Sequence, residues 1–197
     1  MPTGRYAVLG DDGAPVGTEN FRCAPGPMGW RYFSEIQTDH REIVDIAVDR
    51  NWRVARVHID TGEHDILLEP RGDTLAGYRD RREIEIPYGP EMHLDYFTPA
   101  TNAITCRRLE RTTEIDVVFL EAVTLEPTVV RQRYESLGDE PVTTSVGTFD
   151  ATRWTFTSLD SGWTSDLWIA GDTVVAHDQL LTLDAYEPGA SGALPNA

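Results

Sequence analysis

Lysine is absent from this chain of 197 residues: all 17 of its basic side chains are arginine, against 33 aspartates and glutamates, for a net charge of −16. Without lysine there is no Schiff base, no pyridoxal phosphate linkage and no P-loop lysine. A chain this acidic is not a general nucleic-acid binder, because neutralising phosphates needs clustered positive charge. Arginine in place of lysine throughout suggests the coding bias of a GC-rich genome. No apolar run approaches the ~18 residues of a membrane span. The segment Met1-Pro2-Thr3-Gly4-Arg5-Tyr6 lacks the apolar stretch of a signal peptide, so a cytoplasmic protein without a membrane span is expected. Cysteine is nearly missing as well. Cys23 and Cys106 lie far apart and outside any CxxC pair, so both are expected as small, partly buried hydrophobes rather than as a disulfide. There is no GxSxG, GxGxxG or Walker motif. The five histidines, His40, His58, His64, His93 and His177, have neither HxH nor HExxH spacing. His58 and His64 flank a turn, but no third ligand is evident. No cofactor and no metal are expected.

Forty per cent hydrophobic residues suffice for one core. The dominant period is two. Strands are expected at Arg31–Ile36, Ile43–Val48, Trp52–Asp60, His64–Glu69, Thr74–Tyr78 and Arg81–Ile86. Later ones are expected at Glu114–Val123, Thr128–Glu135, Thr143–Val146, Thr148–Thr157, Ser165–Ile169 and Thr173–Leu183. Branched and aromatic residues fill these runs, and Gly, Asp and Pro punctuate them. Asp11-Asp12-Gly13 after Tyr6–Leu9 reads as a hairpin turn. One short helix is expected around Pro99–Leu109, with Thr98 as N-cap and Pro99 at the first helical position. The fold class is therefore mainly β: a large curled antiparallel sheet, since sheets of about ten strands or more curl or close. Residues 1–186 form the expected domain and 187–197 a flexible tail.

The segment His93-Leu94-Asp95-Tyr96-Phe97-Thr98-Pro99-Ala100-Thr101-Asn102-Ala103-Ile104-Thr105-Cys106-Arg107-Arg108-Leu109 resembles the signature of a bacterial family described as glycolipid-binding. The signature carries an Asp, a Ser or Thr before Pro, an Asn and a late Arg-Leu. Two flanks agree: Ile46–Val57, with Trp52 just after a turn, and Val123–Tyr134, ending in Gln132-x-Tyr134. The resemblance covers roughly 15–156. Thr105-Cys106 departs from the Pro-Ile expected there, and the region from Asp160 on fits poorly. The resemblance implies a spiral β-roll or half-open barrel, similar in shape to the periplasmic lipoprotein carriers, that binds a lipid-like molecule in its concave face.

Several residues are candidates for that face. Alternation places Trp52, Val54, Arg56, His58 and Asp60 together. If this face lines a cavity, Arg56 holds a head group and His58 moves a proton; otherwise the face is a solvated exterior with cross-strand ion pairs. Glu35 and Asp45 sit on neighbouring strands and, with His58, are the catalytic candidates. Glu19 matches a Glu of the family pattern and is positioned to pair with Arg107 or Arg108, only one of which is expected to point inward. The remaining binding candidates are Trp30, Tyr96, Gln132 and Tyr134, with other aromatics, Phe97 and Trp163 among them, as core or pocket lining. Two functions compete. One is a binder of a hydrophobic or amphipathic small molecule, lipid-, glycolipid- or polyketide-like. The other is a cofactor-free cyclase, isomerase or pericyclase that uses the cavity as a mould for a polyketide-like intermediate in natural-product biosynthesis. The chain is expected as a monomer or as a homodimer through open sheet edges.

Overall fold

Fifteen strands and one helix make up the computed structural model, which describes residues 1–26, 29–109 and 111–189. The first eight strands are β1 (Thr3–Leu9), β2 (Pro15–Gly26), β3 (Gly29–Gln37), β4 (Arg41–Asp49), β5 (Val54–Asp60), β6 (Asp65–Arg71), β7 (Thr74–Arg79) and β8 (Arg82–Pro87). Next come β9 (His93–Asp95), the helix α1 (Pro99–Arg108), β10 (Thr113–Leu120), β11 (Pro127–Thr144), β12 (Gly147–Ser158), β13 (Thr164–Ala170), β14 (Thr173–His177) and β15 (Leu181–Glu187). All strands join one sheet in the order β8-β7-β6-β5-β4-β3-β2-β1-β15-β14-β13-β12-β11-β10-β9. Neighbours are antiparallel except β9 and β10. The sheet is a large open one that curls on itself, as expected from its strand number.

Alternation explains which side faces in. On β4, Glu42, Val44, Ile46 and Val48 are buried while Arg41, Ile43, Asp45 and Ala47 are not. The expected strands appear with adjustments: β5 begins at Val54 because Trp52 stands in a turn (φ 59°), and β9 is a short strand outside the expected runs. β2, with two prolines and two glycines, pairs along its length with β3. β10 stops at Leu120, where the Glu121 carboxylate accepts the N–H groups of Val123 and Thr124 at 3.0 and 2.7 Å. β11 runs on to Thr144, past a bulge near Gly138 (φ 96°). The run Thr173–Leu183 is two strands, because the chain turns at Gln179 (φ 65°) and Leu180 donates to the His177 carbonyl at 3.1 Å. Of the expected tail, Glu187 ends β15, and residues 190–197 lie outside the described residues.

Helix α1 forms as its sequence predicts. Thr98 caps it, its hydroxyl accepting the Ala100 N–H at 3.5 Å, and Pro99 opens it. Pro99 through Cys106 are all buried. A helix buried on every side lies within a core, and here it packs inside the curl against β14 and β9. Aromatic rings line the wall beside it: Tyr6 stacks on Phe21 at 4.8 Å, Phe21 on Tyr32 at 5.6 Å, Tyr32 on Trp30 at 5.6 Å, and Trp30 meets Trp52 at 5.3 Å. The small side chains of Ala100 and Ala103 face the Tyr6, Phe21 and Tyr32 end of this ladder across a small gap. Cys23 and Cys106 are buried free thiols. Among the described residues, no helix is long and apolar enough to cross a membrane.

Candidate functional site

The interior is not completely filled. A cavity of about 400 Å³ remains within the curl. Its walls are largely apolar, with Val8, Ile36, Phe119, Val130, Phe156 and Leu181 contributing. Phe97 and Trp163 also line it and are 42% and 38% exposed, so they stand at its mouth. The segment from β9 into α1 supplies Asp95, Tyr96, Thr98 and Asn102, β2 adds Glu19, β11 Gln132 and β14 His177, and Ser158 and Ser161 complete the polar lining.

These polar groups are tied to one another. Glu19 on β2 is 2% exposed. Its Oε1 accepts the hydroxyls of Thr98 at 2.7 Å and Tyr32 at 2.9 Å. Burial nonetheless pushes its carboxyl up to about 7, and the nearby Glu42 adds to the rise. Asp95 accepts Gln132 Nε2 at 2.6 Å on one oxygen and the Thr101 hydroxyl at 3.0 Å on the other. Burial raises Asp95 too, against the pull of those donors. The Tyr134 hydroxyl donates to Asn102 Oδ1 at 3.2 Å, holding the amide at the cavity wall. Tyr96 donates a short bond to Glu42, whose other oxygen lies 2.7 Å from His40 Nε2. His177 on β14 is 5% exposed, and its Nε2 is buried without a hydrogen-bond partner. Burial holds the imidazole down at about 4, so it is neutral. Among the described residues, no arginine lines the cavity.

The structure sorts the sequence candidates into three groups. Glu19, Tyr96 and Gln132 come together at the cavity. Tyr134 stands behind Asn102, while Trp30 and Trp52 belong to the aromatic ladder, with the Trp30 indole donating to Asp172 at 2.8 Å.

The charged candidates lie elsewhere. The face of β5 bearing Arg56 and His58 is the outer one: Val54, Val57 and Ile59 point inward. The cause is a bulge. Val48 pairs with Val54 and Ala47 with Arg56, which leaves Ala55 as an extra residue. His58 meets Asp65 at 2.7 Å and Arg56 approaches Glu69 at 4.0 Å. Glu35 and Asp45 are likewise outside. Arg41 donates to Glu35 at 2.8 Å and Arg31 to Asp45 at 2.7 Å. Arg107 and Arg108 are helical rather than extended, so strand alternation does not apply to them. Arg107 is exposed, 5.2 Å over the Trp52 ring, and Arg108 donates to the carbonyls of Met92 and Pro90 at 2.9 and 3.0 Å. Glu19 therefore pairs with hydroxyls, not with either arginine.

Sequence reasoning did not single out Asp95, Thr98 and Asn102 as cavity groups. All three belong to the signature, and Thr98 is legible there as the helix cap. His177 was named only among the histidines. The alternation of Val130, Gln132 and Tyr134 on β11 is the signal that locates the wall.

Comparison with known proteins bears on the fold and on the family. Residues 14–162 match the model of a family described as "Putative glycolipid-binding". A crystal structure of a DUF1089 family protein from Pseudomonas aeruginosa superposes with a TM-score of 0.58 at 16% identity, over 83% of this chain and 91% of that one. A beta-barrel-like protein of the domain of unknown function DUF1849 from Brucella abortus gives a TM-score of 0.57 at 7% identity, over 94% and 95%. At these identities the likeness is one of fold. No curated protein matches.

Proposed function

The chain belongs to that glycolipid-binding family, and on this premise we propose that it binds an amphipathic or hydrophobic small molecule, lipid-, glycolipid- or polyketide-like, in the cavity of the roll. The observation that carries this reading is the make-up of the cavity. Its volume of about 400 Å³ suits a small molecule. Its apolar walls take a chain or ring system, and the polar groups Glu19, Asp95, Thr98, Asn102 and Gln132, each held by hydrogen bonds, fix a head. Apolar side chains at the mouth, Phe97 and Trp163, favour entry of an apolar body. Glu19, Tyr96 and Gln132 are the ligand contacts among the sequence candidates, joined by Asp95, Thr98 and Asn102. The buried free thiols of Cys23 and Cys106 fit a reducing, cytoplasmic setting.

Native mass spectrometry of freshly purified protein, followed by extraction and identification of any retained molecule, tests the proposal. A bound amphiphile that Phe156→Trp displaces, by filling the cavity, supports it. A ligand retained equally by that variant places binding elsewhere.

A second reading, the cofactor-free cyclase or isomerase, is favoured by one observation. Glu19 holds a proton up to about pH 7 inside an apolar cavity, which is where a general acid is useful. Glu19→Gln then abolishes turnover of a bound substrate while binding persists. A pure carrier shows no turnover to lose.

A further inference from the structure

We propose that this cavity selects amphiphiles whose head is a cationic amine, with Glu19 and Asp95 as the groups that receive the ammonium. The inference rests on the cavity being the binding site, as argued above. Its basis is an imbalance of charge. Two carboxyls stand on the wall, and no cationic side chain among the described residues lines it. The groups facing Glu19 are Tyr6 of β1, Tyr32 and Ser34 of β3, Glu42 of β4, and Tyr96 and Thr98 of the β9–α1 loop. Those facing Asp95 are Thr101, Gln132 and Tyr134. All are neutral donors or further acids. His177, the only basic group lining the cavity among the described residues, is held neutral by burial.

A carboxylate buried without a counter-ion is costly, and a protein leaves one so only where something else supplies the positive charge or a proton. In the unliganded protein the proton serves, and Glu19 keeps it up to about pH 7. An ammonium replaces that proton with a counter-ion, so binding the amine and ionising Glu19 favour one another. The hydroxyls of Tyr32 and Thr98 both land on Oε1. The aromatic faces of Phe156 and Trp163 offer a cation further attraction. The net charge of −16 draws cations toward the mouth and repels phosphates and carboxylates. Arg107 and Arg108, the groups that an anionic head requires, are engaged with Trp52 and with two backbone carbonyls.

The test uses the full chain and three probes of equal chain length, dodecylammonium, dodecanol and dodecanoate, each below its micellar concentration. Affinities are measured by calorimetry one pH unit below and one above the Glu19 value of about 7. Dodecylammonium is expected to bind at least about tenfold more tightly than either other probe, a difference of about 1.4 kcal/mol. Its advantage over the alcohol grows as the pH rises. Glu19→Gln shrinks the ammonium-to-alcohol ratio and removes its pH dependence, and Asp95→Asn provides the same measurement should the first variant fold poorly. Equal binding of ammonium and alcohol, or a ratio that both variants leave intact, overturns charge selection but leaves the cavity as the binding site. Tight binding of the carboxylate overturns it as well. Failure of all three probes to bind overturns the cavity reading itself, and charge selection with it.

Discussion

Arg79 and Thr124 join the two ends of the sheet. The Arg79 guanidinium, on the strand next to the β8 edge, donates two bonds to the Thr124 carbonyl at 2.9 and 2.7 Å and meets Glu126 at 3.0 Å. Thr124 sits in the turn between β10 and β11, near the β9 edge, beside the cavity-lining Ala122. No main-chain ladder pairs β8 with β9, so this side chain supplies hydrogen bonds across the gap that the backbone does not. The Tyr96 hydroxyl reaches the same turn, 3.3 Å from the Ala122 carbonyl.

Arg79→Ala is expected to cost about 1–3 kcal/mol, the range for hydrogen bonds to a charged group that is mostly buried. The fall appears as a lower urea midpoint with far-UV circular dichroism unchanged. An unchanged midpoint means that the curl is held by core packing alone.

Glu19 makes stability depend on pH in a definite direction. Its carboxyl is about 7 in the fold and near 4.5 when unfolded, so between those values the native state holds a proton that the unfolded chain has lost. Stability from this group is greatest below 4.5 and declines as the pH rises through 7, by about 3 kcal/mol at most. Glu19→Gln keeps the neutral hydrogen-bonding form at every pH. The stability of the wild type minus that of the variant, from urea titrations across this window, should fall as the pH rises. A flat difference contradicts the burial argument.

His177 acts in the opposite sense. Its imidazole is about 4 in the fold against 6.5 when unfolded. Its contribution is complete above 6.5 and is lost as the pH falls toward 4, again by about 3 kcal/mol at most. Its Nε2 is buried and unpartnered, so His177→Leu removes both the acid lability and an unsatisfied polar atom. The variant is expected to match or exceed the wild type in urea midpoint at neutral pH and to lose less of it on acidification. His93, held near 3 by burial with Arg108 adding to the shift, keeps the remaining sensitivity. A variant that is weaker than wild type at neutral pH shows that the ring is retained for packing.

Much of the sheet is legible in the sequence because one face of each strand is buried and the other wet. Val44, Ile46 and Val48 against Arg41, Asp45 and Asp49 is a pattern that admits one orientation. Thr98-Pro99 is similarly local chemistry, and the helix begins where it says. β2 is harder to read, since its two glycines and two prolines mask the inward alternation of Glu19, Phe21 and Cys23. The site is less legible still. That α1 lies inside the curl, and so brings Asn102 to a cavity shared with Gln132 and His177, depends on contacts among elements far apart in the chain. No periodicity records them.

The outer face of β5 gives the sharpest check on where ligand binds. By strict alternation Trp52, Val54, Arg56 and His58 share one side, but the extra residue Ala55 separates Val54 from the other two and sends them outward. His58 then pairs with Asp65, and Arg56 stands 4.0 Å from Glu69 in solvent. Exposed pairs of this kind contribute about 0–1 kcal/mol. Arg56→Ala and His58→Ala are therefore expected to leave both the urea midpoint and the affinity for any cavity ligand within error of the wild type. Deleting Ala55 is expected to be tolerated in the same way: Val48 already pairs with Val54 and Ala47 with Arg56, so the deletion removes the bulge and restores strict alternation, with Val54, Val57 and Ile59 inward and Arg56 and His58 still outside. The register of β5 against β4 is then unchanged, which retained hydrogen-exchange protection at Val57 and Ile59 reads directly. Loss of ligand affinity in either single alanine variant, with stability unchanged, places the binding site on the outer face instead.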